Sequence, residues 1–283
     1  MARPLTPDDR TTTTRSVLVV RDGTARRRPD HLAGEEPMAI RVAGPGQAPV
    51  DVAVTMRTPG NDAELAVGFL VSEGLLDPSD LVGLAVEVGD PAGVATPENE
   101  LVVRIGRRFD PGAVPARAFV VSASCGICGK ASLDDVAVRC VPLPPGPRVD
   151  AAVIAALPDR LRTGQAVFEQ TGGLHASGLF DPAGTLLAVR EDVGRHNALD
   201  KLIGAAALAG DLPLHDRILA VSGRVSFEIV QKAAVAGIPV VAAGKAPTDL
   251  AVSAAERVGL TLVGFVRGGG FNVYAGEERI AVE

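Results

Sequence analysis

Apolar positions along the first third of the chain recur with the short period of strands. "SVLVVRDG", "EPMAIRVAG" and "VDVAVTMRTPG" are runs rich in Val and Ile, broken by Gly and Pro, and they predict strands between residues 16 and 56. The spacing then changes. "NDAELAVGFLVSEGLL" sets Leu65, Phe69 and Leu70 on one side, with Asn61 or Asp62 as N-cap and Gly74 near the end, which predicts a helix. "GLAVEVG" and "ELVVRIG" return to strand, and "AFVVSAS" leads as a strand into a glycine-rich stretch, so the first half reads as α+β.

"VPLPPGPR" holds four prolines in eight residues and marks a boundary, because proline fits neither helix interiors nor sheet ladders. The predicted units are a disordered lead-in over 1–15, an N-terminal α+β domain over 16–148 and a C-terminal domain over 149–283. Past the boundary the pattern alternates. Helices are predicted in "DAAVIAALPDRLRTG", "RHNALDKLIGAAALAG", "VSFEIVQKAAVAG" and "APTDLAVSAAERVG", with strands in "AVFEQTG", "TLLAVREDV", "RILAVSG", "IPVVAAG", "LTLVGFVRG" and "FNVYAG". Helices between strands imply an α/β layer structure on a largely parallel sheet, where ligands sit beyond the carboxyl ends of the strands.

Composition narrows the class. With 283 residues, 47% of them apolar, the chain can bury a sizeable core. Its apolar runs are too short to span a bilayer and its N-terminus lacks an apolar signal region, so no membrane is expected and the cytoplasm is the expected compartment. A net charge of −6 argues against nucleic acid as a partner. "RDGTARRRPD" is the one basic cluster, and with no aromatic residue nearby it reads as a solvated turn.

Four loops carry polar groups that turning does not require: "TGGLHASG" with His175, "REDVGRHNALDK" with Asp192, Arg195, His196 and Asn197, "SGRVSFE" with Ser222 and Arg224, and "GFVRGGGFN" with Arg267. Helix N-termini offer free N–H groups and arginine offers a planar fork, so phosphate binding at this edge is expected without a Walker lysine. Neither GxxxxGK[ST] nor GxGxxG after a strand occurs.

Cys125 and Cys128 stand in "SASCGICGK", two of three cysteines in the chain. Three chemistries are open to such a pair. Zinc would need Cys140 and a histidine to complete the set. A redox dithiol would sit at a helix start. A nucleophilic carrier would use the glycine-flanked loop to reach donor and acceptor, with Lys130 lowering the thiol pKa.

Taken with "TGGLHASGLF", "REDVGRHNALDKLIG", "SGRVSFEIVQKA", "AGIPVVAAGKAPTDLAV" and "GFVRGGGFNVYAG", the chain from Glu35 to Gly276 resembles the FdhD family of formate dehydrogenase accessory proteins. The resemblance implies a sulfurtransferase that takes persulfide sulfur from a cysteine desulfurase and delivers it to the molybdenum of the bis-molybdopterin guanine dinucleotide cofactor of formate dehydrogenase. Cys125 would carry the persulfide and Cys128 assist, and Cys140 has no assigned role. Phe265, Val266, Arg267, Gly268, Gly269 and Gly270 would contact that cofactor as cargo, with His175, Arg195, His196, Ser222 and Arg224 nearby. It further implies a homodimer and a cytidine deaminase-like second half without the deaminase metal, since Ser177 stands where the catalytic Glu would be and "SGRVSFE" has no cysteines. The competing expectation is a zinc-stabilised cofactor chaperone that moves no sulfur.

Overall fold

The computed structural model describes residues 10–88, 97–114 and 142–282. The strands β1 (Thr12–Arg21) and β2 (Thr24–Ala33) form a two-stranded antiparallel ribbon. Asp22 and Gly23 close it, with φ of 49° and 74°. The lead-in expected over 1–15 is therefore strand from Thr12 onward, and the basic cluster is half of a ribbon rather than a turn.

A four-stranded sheet follows, in the order β4 (Val50–Arg57), β3 (Glu36–Ala43), β6 (Glu100–Arg104), β5 (Ala85–Val88). The helix α1 (Asp62–Ser72) is buried from Leu65 to Ser72. A helix buried on every side must be covered by more than its own sheet. Its cover is α4 (Arg195–Ala209), and the two helices meet backbone to backbone. A Cβ on Gly68 would overlap the carbonyl oxygen of Asp200, and one on Gly204 that of Glu64.

The second half is one six-stranded sheet in the order β13 (Gly270–Ala275), β12 (Thr261–Arg267), β11 (Val240–Ala243), β10 (Ile218–Val221), β8 (His175–Phe180), β9 (Leu186–Asp192). Its helices lie on both faces, as the alternation along β10 makes plain. Ile218 and Ala220 pack with Ile154, Leu157 and Leu161 of α2 (Ala151–Arg162), whereas Leu219 and Val221 join Leu199, Leu202, Ile229 and Val230 on the other side. That second side holds α4, α5 (Phe227–Val235) and α6 (Asp249–Val258). The larger core also takes in Met38, Ile40, Leu65 and Leu70, so both halves share it.

Three expectations need correction. The sheet is mixed: only β10, β11 and β12 run parallel, while β8, β9 and β13 are antiparallel to their neighbours. "AVFEQT" is not a strand but the short helix α3 (Ala166–Thr171). The backbone N–H groups of Val167 and Phe168 donate to the Glu191 carboxylate at 2.9 and 2.8 Å. "HASGLF", read as part of a loop, is β8. The two-residue strands β7 (Val149–Asp150) and β14 (Ile280–Ala281) pair in parallel and tie the two ends of the second half together.

Candidate anion-binding site at the sheet edge

Parallel strands β10 and β11 end side by side, and the loops that leave them are laced together. Val225 donates its N–H to the Ala246 carbonyl at 3.3 Å, and Thr248 donates to the Val225 carbonyl at 2.9 Å. Because β8 runs antiparallel to β10, it begins at this same edge with His175, opposite the last residue of β9, Asp192. Ser222 fixes that junction: its N–H donates to the Ala176 carbonyl at 3.0 Å and its Oγ accepts the Ala176 N–H at 2.9 Å.

His175 lies over Gly223, where a Cβ would stand 3.4 Å from its Nδ1 and 3.7 Å from the Cδ of Arg195. Burial, then the neighbouring charges of Arg195 and Lys245, hold the His175 pKa below its ordinary value of 6.5. The Nε of Arg195 is buried with no hydrogen-bond partner among the described residues, and so is the Oγ of Ser177. An orphaned guanidinium N–H beside a second cation is an unmet demand for an anion. Arg224 is exposed on the loop after β10.

The stretch Phe265–Gly270 leaves the neighbouring strand at the same edge. Phe265 is in the left-handed region at φ 54°, and its N–H donates to the Lys245 carbonyl at 3.3 Å. Such a backbone persists in a bulky residue only when its surroundings hold it. Arg267 is exposed with its guanidinium 5.7 Å from the Phe265 ring, and Gly268 and Gly269 take the positive φ values of the turn, 57° and 79°. Gly270 opens β13. The side chain of Val266 is 2% exposed within the α2-side core, which leaves only its backbone available to the edge.

His196, expected near the cargo, makes its side-chain contacts between two helices. Its Nε2 is 3.1 Å from the Ser226 Oγ and 3.0 Å from a Glu228 carboxylate oxygen, so it braces α4 against α5. One turn further along both helices, Asp200 meets Lys232 at 2.9 Å. Burial works against the Lys232 ammonium, but Asp200 and Glu73 outweigh it and hold its pKa above the ordinary lysine value. Asp192 is framework too. Fully buried, it accepts from the Thr58 N–H at 3.1 Å, the Gly194 N–H at 2.8 Å and the Asn197 amide at 3.1 Å, and pairs with Lys201 at 2.7 Å. This cluster straps the "TMRTPG" stretch to the start of α4.

Behind the edge is a cavity of about 300 Å³, lined by Leu157, Leu161 and Arg162 on one side and by Ala220, Ser222 and Gly244 at the strand ends. Pro158 and Ala242 complete its apolar wall, and Asp159, Arg162 and Gln165 bring polar groups to it. Sequence reasoning left out Lys245 and Arg162. Lys245 follows Gly244 at the end of β11 as Arg224 follows Gly223 after β10, a parallel that was open to reading. Cys125, Cys128, Lys130 and Cys140 lie outside the described residues. Among the described residues, no three His, Cys, Asp or Glu side chains converge to hold a metal ion, and no helix is long and apolar enough to cross a membrane.

Comparison with known proteins agrees with the motif content. Sulfur carrier protein FdhD from Streptomyces avermitilis is 49% identical over 281 residues, covering 96% of this chain and 97% of that protein. The protein of the same name from Nocardia farcinica is 48% identical, covering 96% and 95%. A crystal structure described as a formate dehydrogenase accessory protein from Desulfotalea psychrophila superposes with a TM-score of 0.73 at 24% identity, over 96% of this chain and 100% of that one. It has the same fold. The sequence model of the FdhD/NarQ family matches residues 33–281, and the chain belongs to that family.

Proposed function

We propose that this protein is a sulfur carrier serving formate dehydrogenase, moving sulfane sulfur from a cysteine desulfurase to the molybdenum of the bis-molybdopterin guanine dinucleotide cofactor. The observation that carries this reading is near-full-length identity of about half to relatives named sulfur carrier protein FdhD. In the first transfer the Cys125 thiolate attacks the terminal sulfur of the donor persulfide. A new S–S bond forms on Cys125, the donor's S–S bond breaks, and the donor cysteine leaves as thiolate. In the second, that sulfur passes to molybdenum and Cys125 leaves as thiolate, the reduced metal supplying the electron pair. Cys128 assists.

The cargo carries pyrophosphates and guanine bases, and the sheet edge fits both parts. Arg195, Arg224, Lys245 and Arg267 supply cations for the phosphates, and neutral His175 supplies an acceptor or, once a phosphate is bound, a donor. The cavity of about 300 Å³ between α2 and the strand ends, with Leu157, Leu161 and Ala242 in its wall, would receive a guanine ring. Mass spectrometry after incubation with a cysteine desulfurase and cysteine tests the carrier step. The expected outcome is a gain of one sulfur atom on the wild-type chain and none on Cys125→Ala. An unchanged wild-type mass, or equal gain in both proteins, would sink the reading.

A further inference from the structure

The β1–β2 ribbon lies almost wholly before the segment matched by the family and serves no part of the sheet-edge site. Its base is fixed to the body, the Gly34 N–H donating to the Thr11 carbonyl at 2.8 Å and the Thr11 Oγ1 to the Pro59 carbonyl at 3.1 Å. Its register runs without a bulge from Thr12↔Ala33 to Arg21↔Thr24. With a two-residue turn, Arg21 and Thr24 form the hydrogen-bonded closing pair, so alternate pairs toward the base follow suit. The N–H and C=O groups of Ser16, Leu18 and Val20 then point outward, away from β2. The outer edge of β2 is protected by Pro29, which has no N–H to offer. Among the described residues no strand pairs with the outer edge of β1.

Residues directly opposite each other in the register share a face. Arg15, Val17, Val19 and Arg21 of β1 therefore lie on one face with Arg26 and Arg28 of β2, whereas Leu18 and Val20 lie on the other with Ala25 and Pro29. Among the described residues none of those four arginines holds a carboxylate, while Arg41, Arg104 and Arg217 each do. Leu18 is 58% and Val20 63% exposed. One open edge thus has unpaired cations to one side, exposed apolar groups to the other and a row of backbone groups between. A lipid or nucleic-acid surface meets one face and leaves the other unmet, and the ribbon has no aromatic residue on which a base could stack. A second ribbon brings the same charge, five arginines against two aspartates. An added strand meets both faces at once, because its own side chains alternate between them.

We propose that the open edge of β1 binds an extended segment of a partner protein in which acidic and apolar residues alternate, taken up as a third strand of the ribbon. Its carboxylates lie beside Val17 and Val19, flanked by Arg15 and Arg21. Arg26 and Arg28 reach them across two strand spacings, about 10 Å. Its apolar residues cover Leu18 and Val20. Backbone bonds supply the attraction common to any strand, and the charge of one face chooses among strands.

Fluorescence anisotropy of the full chain with a labelled decapeptide of alternating glutamate and valine tests the proposal. A decapeptide of the same composition with its glutamates in one block, and another of alternating lysine and valine, should bind at least about tenfold more weakly. Added salt should weaken the binding. Arg26→Glu with Arg28→Glu should raise the dissociation constant about thirtyfold. Leu18→Pro, which removes an outward N–H that β2 does not use, should raise it about tenfold. Arg27→Ala, on the apolar face, should leave it unchanged. Far-UV circular dichroism checks the fold of each variant. Hydrogen exchange, which needs no variant, should show the Ser16, Leu18 and Val20 amides protected only with the alternating peptide present. The proposal falls if the wild-type chain does not bind that peptide, if the block peptide binds as well, or if those amides exchange freely in the complex. Protection of the same amides on concentrating the chain alone would assign the edge to a second copy. Binding to phosphatidylglycerol vesicles in place of the peptide would assign it to a lipid surface, and either outcome overturns the proposal.

Discussion

Burial of His175, then the charges of Arg195 and Lys245, lower its pKa, and that has two consequences at the scale of single side chains. The unfolded chain takes up a proton near the ordinary histidine value of 6.5, while the folded chain resists until lower pH. Between those two values the unfolded state binds more protons, so stability falls as pH drops below about 6.5. Urea midpoints at about pH 7.5 and pH 5.5 should show this loss, reduced in His175→Gln. An anion bound beside the ring reverses the local potential. Pyrophosphate binding at about pH 6.5 should therefore take up a proton, read by calorimetry in buffers of different ionisation enthalpy. Arg195→Met, which removes the unpaired guanidinium, should weaken that binding about ten- to a hundredfold. Binding that is independent of both residues would place the anion elsewhere.

At the scale of elements, the seam between α1 and α4 holds the closest backbone approach at any described glycine. Gly204→Ala inserts a methyl group where the Glu64 carbonyl stands, forces the helices apart and should cost about 1–3 kcal/mol in urea unfolding, even though alanine is the better helix former. Periodicity made both helices legible, as it did β1, β3 to β6 and most of the second half, because these elements bury a face that the sequence writes in apolar residues. It failed where a partner distant in sequence decides. The adjacent, β-favouring Val167 and Phe168 look like strand until Glu191 caps their N–H groups. β8 is rich in small residues because Gly178 packs under Leu161 and Phe180, where a Cβ would come within 2.6 and 3.0 Å. β2 is too polar to be noticed without β1 beside it. The same limit governs the site. The placement of His175, Arg195 and Ser222 at one sheet edge was legible from the order of strands and loops, whereas the contacts of Asp192 and His196 depend on Thr58 and Glu228, and nothing local reveals either.

For the molecule as a whole, one core runs from Met38 and Leu65 through Leu199 to Leu262. Buried polar bridges reinforce it, among them Lys201 to the Thr58 carbonyl at 2.8 Å and Lys232 to the Ser72 Oγ at 2.8 Å. The half that carries the CGIC sequence and the half that carries the candidate anion site share this core and should unfold as one cooperative unit. Chemical unfolding followed by circular dichroism should give a single transition, with the Tyr274 signal following the same curve; two separated transitions would contradict a shared core. The laced loops beyond β10 and β11 carry this rigidity to the rim. Since Val225 and Thr248 are already spoken for by backbone bonds, that rim has little slack with which to mould itself around a visitor. If the cargo docks here as proposed, the rim would work as a gauge of fixed span, and a molecule whose negative groups are set too close together or too far apart should bind it less well.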